Sequence, residues 1–152
     1  MENITTTSAY ELVEKIKKGE ISSVEICEAY LERIKKFDKD VKAWAFFDKK
    51  LLLEKAKEKD EYRKSGKRLG ALRGLFIAVK DIIGTLDMPT ECGTVFRKKM
   101  PSSQDSEIVN LLKTAGAIIM GKTVTCELAY IHPSKTTNPH DYSRTPGGSS
   151  SG

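Results

Sequence analysis

The chain has 152 residues, 39% of them hydrophobic and 31% charged, with a formal net charge of +5. That length and balance suit one globular domain and exclude a disordered chain. No apolar run approaches the ~20 residues that span a bilayer, and the start, MENITTTSAYELVEKIKKGE, lacks the basic-then-apolar order of a secretory signal.

The first helix is predicted to start at Ser8, because Ser8 and Glu11 have the spacing at which each side chain bonds the other's backbone N–H. Leu12, Val13 and Ile16 form its apolar stripe and Gly19 ends it. Ser22 and Glu25 repeat the spacing and open a second helix with Val24, Cys27, Tyr30, Leu31 and Ile34 on one face. Val41 to Phe47 reads as a short strand, and Lys49 to Ser65 as a highly charged helix burying Leu52, Leu53 and Ala56. Glycines 66, 70 and 74 then punctuate a loop. Leu75 to Val79 is apolar without alternation, the pattern of a parallel strand buried on both faces. Asp105 or Ser106 can cap a helix in which Ile108, Val109, Leu111 and Leu112 face inward. Gly116 ends it, and Ala117 to Met120 is a second buried strand. Strand, helix, strand is a crossover unit, which makes the chain α/β. From Lys135 onward the sequence is rich in turn residues and ends Pro146-Gly147-Gly148-Ser149-Ser150-Ser151-Gly152.

The basic excess lies on helical faces such as Lys15, Lys17 and Lys18, with no interleaved aromatics, so a direct nucleic-acid partner is not expected. The three cysteines, Cys27, Cys92 and Cys126, are odd in number and far apart. They form neither a disulfide framework nor a metal pair, which points to a reducing, cytoplasmic setting. His132 and His140 have no metal partner at ligand spacing and read as solvated.

Two features could carry chemistry. Lys80 ends an apolar strand, where open α/β sheets place their sites. A lysine desolvated there is pushed toward a neutral amine that can act as a base; alone, it reads more readily as a surface lysine at a strand end. The run 146–152 has the composition of a flexible linker, and it lacks the lysine of a phosphate-binding loop.

Three segments in order alter that balance. Gly74-Leu75-Phe76-Ile77-Ala78-Val79-Lys80-Asp81 resembles the G-x-P-x-x-V-K-D segment of amidase-signature enzymes, with Phe76 where proline is usual. Ala115 to Thr123 resembles the family's G-A-x-x-x-G-K-T strand and turn, and Thr145 to Gly152 the opening of its signature. The interval from Lys80 to Ser149, 69 residues, is of the kind the family uses. The resemblance runs from about Ser8 to the end.

It implies an amidase that converts a carboxamide to carboxylate and ammonia by a Ser-Ser-Lys triad. Lys80 would be the lysine, and Ser149 the bridging serine beside a cis peptide bond. Gly147, Gly148 and Ser150 would support the loop, and Tyr130 and Ile131 would line the acyl pocket. The attacking serine would lie about two dozen residues past Ser149, outside this chain, so the chain alone is expected to be inactive. The implied fold is α/β, with N-terminal helices over residues 1–68 and, over 69–152, the start of a mixed, largely parallel sheet that is incomplete here. No cofactor and no metal are implied. The expected partner is a small-molecule amide, with no membrane, and a homo-oligomer would cover the open sheet. Val124-Thr125-Cys126 after the G-K-T turn favours stand-alone small-amide hydrolases over the A subunit of glutamyl-tRNA(Gln) amidotransferase, which usually has an asparagine and an acidic residue there. A non-catalytic interaction remnant is the remaining alternative.

Overall fold

The computed structural model describes residues 4–152. Both N-terminal capping boxes form. In helix α1 (Ala9–Lys18) the Glu11 N–H donates to the Ser8 hydroxyl and the Ser8 N–H donates back to the Glu11 carboxylate; Gly19 closes the helix in the left-handed conformation. Helix α2 (Ser23–Val41) begins in the same way through Ser22 and Glu25. Helix α3 (Lys49–Lys64) is capped by Asp48, which accepts from the N–H groups of Lys50 and Leu51.

Helix α3 buries Leu52 and Ala56, whereas Leu53 is only half-buried. The next inward position is Asp60, whose carboxylate accepts from the N–H groups of Ser23 (2.8 Å) and Val24 (3.1 Å). These are orphan donors at the start of α2, so one helix supplies a side-chain cap for another.

Among the described residues three strands form a mixed sheet in the order β1-β3-β2: β1 (Trp44–Phe46), β2 (Phe76–Lys80) and β3 (Ile118–Thr123). β2 and β3 are parallel, with Phe76 opposite Ile118 and Lys80 opposite Thr123. β1 runs antiparallel to β3. It comes close because residue 121 is glycine: a Cβ there would lie 2.5 Å from the Phe46 carbonyl oxygen.

The sheet separates two apolar clusters. Leu12, Ile16, Ile26, Leu52, Phe76, Ile118 and Met120 pack under the N-terminal helices, where the Phe76 ring meets Tyr30 edge-on. Val79, Met88, Val109 and Ile119 pack on the other side, under helix α4 (Glu107–Thr114).

Three further expectations change. In β2 Ala78 is exposed and Ile77 only half-buried, so among the described residues the strand is not sealed on both faces. In α4 only Val109 is fully buried, with Leu112 partly so. Ile108 and Leu111 are 50% and 56% exposed, because they form a neighbouring stripe that turns away from the sheet. At its start Ser106 occupies the cap position without a side-chain bond, while Asp105 accepts from the Leu86 N–H and from Lys113. Among the described residues no helix is long and apolar enough to cross a membrane.

Candidate active site

Lys80 is the last residue of β2 and is half-buried. Nζ donates to the Ser149 hydroxyl oxygen at 2.6 Å. The Gly148–Ser149 peptide bond is cis.

The loop carrying Ser149 has a linker's composition but is held down. Its anchor is the segment just after β3. The Ser149 carbonyl accepts from the Thr125 hydroxyl (3.0 Å) and from the Cys126 N–H (3.0 Å). The Val124 carbonyl accepts from the N–H groups of Ser151 (3.2 Å) and Gly152 (3.0 Å). Cys126 Sγ lies 3.6 Å from the Ser151 hydroxyl and directly under Gly148, where a Cβ would sit 2.5 Å from the sulfur. Gly148 is therefore the residue that lets the loop close onto Cys126. Gly147 has φ 94°, a left-handed conformation open to glycine. Ser151 is the buried serine of the loop; Ser150 is exposed.

Two buried charges brace the opposite side of the strand ends. Lys122 is 0% exposed and donates to the Ile83 carbonyl (2.6 Å) and to the hydroxyls of Thr90 (2.7 Å) and Thr85 (3.3 Å). The Asp81 carboxylate lies 3.8 Å from it and accepts from the N–H groups of Glu91 and Gly93. Burial pushes the Asp81 carboxyl up from its ordinary value and the Lys122 ammonium down, and their mutual attraction opposes both shifts. The pair fastens both ends of the 81–93 loop. Nothing in the sequence marks Lys122 as buried, since a lysine at a strand end is usually solvated.

Beside this brace is a cavity of about 420 Å³ lined by Asp81, Gly93, Thr94, Val124, Thr125 and Glu127, among others. Thr94 Oγ1 is buried at its edge without a hydrogen-bond partner among the described residues. Tyr130 and Ile131 do not line it and are 72% and 75% exposed. His132 and His140 are exposed, and no group of three or more His, Cys, Asp or Glu side chains gathers around a point among the described residues.

The A subunit of glutamyl-tRNA(Gln) amidotransferase from Salinispora tropica is 38% identical over the whole of this chain, which covers 32% of that protein. The subunit from Rhodopirellula baltica is 36% identical over 94% of the chain and 30% of its own length. Among solved structures, the peptide amidase of Stenotrophomonas maltophilia superposes with a TM-score of 0.88 at 30% identity, over 96% of this chain and 32% of that one. Fatty acid amide hydrolase superposes with a TM-score of 0.88 at 29% identity, over 97% of this chain and 27% of that one. The chain thus spans about a third of the length of the relatives it matches. Residues 25–152 match the Amidase family, and with the α/β fold shared by its structural neighbours this chain belongs to that family.

Proposed function

We propose that Lys80 and Ser149 are the proton relay of an amide-hydrolysing site that converts a carboxamide and water to a carboxylate and ammonia. The observation that carries this is the 2.6 Å contact between two groups 69 residues apart, one at the end of a strand and the other on a loop bonded to the segment after β3. A serine hydroxyl donates and accepts at once, so Ser149 can take the proton of an attacking serine while passing its own to the Lys80 nitrogen. The relay run backwards protonates the departing nitrogen, which leaves as ammonia. Water then enters by the same path and frees the acid from the acyl-serine. The attacking serine, by the family resemblance, lies past Gly152. No step needs a cofactor.

A second reading takes glutamine as the amide, with this chain as part of an amidotransferase A subunit. Its support is the 35–38% identity to proteins of that name, against 28–30% for the amidases of known structure. The Val124-Thr125-Cys126 segment supports the stand-alone reading.

The test is ammonia release by a polypeptide that continues this chain to its relatives' length. Release from simple carboxamides without partner subunits supports the first reading, and release from glutamine only with partner subunits supports the second. No release from either contradicts amide hydrolysis. The 152-residue chain alone is expected to release no ammonia and to take no label from a serine-directed phosphonate probe.

A further inference from the structure

We propose that the Thr125 hydroxyl is a positioning group for the relay, holding the Ser149 carbonyl so that the Ser149 hydroxyl stays aimed at Lys80. The inference rests on the relay reading above. Its basis is the bonding of Ser149 itself, since the Val124 carbonyl holds only the two residues that follow Ser150. Residues 144–148 are exposed, and Gly147 and Gly148 bring flexibility rather than restraint. The Ser149 carbonyl accepts two bonds, which fills both of its lone pairs. One comes from the Cys126 backbone and survives any side-chain change. The other is the Thr125 hydroxyl, the only side chain on that carbonyl among the described residues, at 3.0 Å.

Thr125 is itself fixed. It is 2% exposed and forms a bridge with Ser150, just past the end of β3. β3 pairs with the strand that carries Lys80, with Lys80 opposite Thr123. Both partners of the relay are thus referenced to one rigid strand, Lys80 through the β-ladder and Ser149 through Thr125. That arrangement matters because a displacement of ~1 Å at a reacting group costs on the order of 100-fold in rate.

The test reads the Lys80–Ser149 contact directly on the 152-residue chain. The rate of reductive methylation of Lys80 is measured by mass spectrometry, relative to exposed Lys50. Ser149→Ala removes the partner of Lys80 and should raise its labelling; Thr125→Val should raise it by about two- to tenfold, the range for one lost hydrogen bond. Thr125→Ser keeps the hydroxyl and should label as the parent does. In the Ser149→Ala background, Thr125→Val should add nothing, because it acts through Ser149.

Parent-like labelling of Thr125→Val, with Ser149→Ala raised, would overturn the inference and leave the relay standing. So would a Thr125→Ser variant that labels as fast as the valine, or a further rise in the double variant. Parent-like labelling of Ser149→Ala would overturn the relay contact and this inference together.

Discussion

The Lys122 ammonium lies 3.8 Å from the Asp81 carboxylate, both almost sealed from solvent, and together they staple the loop that follows β2. Removing one partner of such a pair strands the other as a buried charge. Lys122→Ala should destabilise the fold by about 3–5 kcal/mol, far more than a lysine-to-alanine change on a surface. Urea denaturation followed by Trp44 fluorescence measures it; a loss within about 0.5 kcal/mol would mean that the brace is not a source of stability.

Asp60 makes a smaller contribution of the same kind. Its carboxylate caps α2 from a distance of 37 residues in sequence, on the Ser23 N–H. Asp60→Ala should cost about 1–2 kcal/mol and speed amide exchange at Ser23 and Val24 before the rest of α2. Hydrogen exchange monitored by NMR checks the location as well as the size.

These two residues show where sequence reading reached its limit. The caps at Ser8 and Ser22 are legible because both partners lie within one helical turn. Asp60 performs a similar function across 37 residues, so the charged helix gives no sign of it. Lys122 sits at a strand end like any solvated lysine, and only the fold of the 81–93 loop over it makes it a buried donor. Lys80 and the run 146–152 each had an ordinary reading in isolation. Their pairing was legible only through the family resemblance, which named Lys80 and Ser149 but not the Thr125 and Cys126 anchor beneath the loop. Ile108 and Leu111 misled because a short helix with apolar residues on adjacent stripes does not say which stripe meets the sheet.

Acid should weaken the N-terminal helices. The Ser22 hydroxyl and backbone N–H hold the Glu25 carboxyl below its ordinary value, and Ser8 does the same for Glu11. A carboxyl depressed in the folded state contributes stability above its unfolded pKa and loses it as pH falls through the lower, folded value. The urea midpoint should therefore begin to fall below about pH 4.3. Glu25→Gln should reduce the steepness of that fall, because its amide does not titrate in this range. An unchanged pH profile in the variant would show that the box contributes nothing to acid sensitivity.

The contact between Gly148 and Cys126 makes a paired prediction. An added methyl at residue 148 would lie 2.5 Å from Cys126 Sγ, so Gly148→Ala should cost about 1–3 kcal/mol by overpacking. Cys126→Ala removes the sulfur and should restore most of that loss in the double variant. Equal losses with and without the sulfur would place the strain elsewhere in the loop.

The Lys80–Ser149 relay is tested most directly by turnover. In a polypeptide that continues this chain to its relatives' length, ammonia release is measured for the parent, Lys80→Ala, Ser149→Ala and the double variant. Each single change should lower kcat/KM by about 100- to 10,000-fold, and the double variant should fall little further, as expected for groups acting as one unit. Parent-like turnover in Ser149→Ala, or losses that multiply in the double variant, would contradict it.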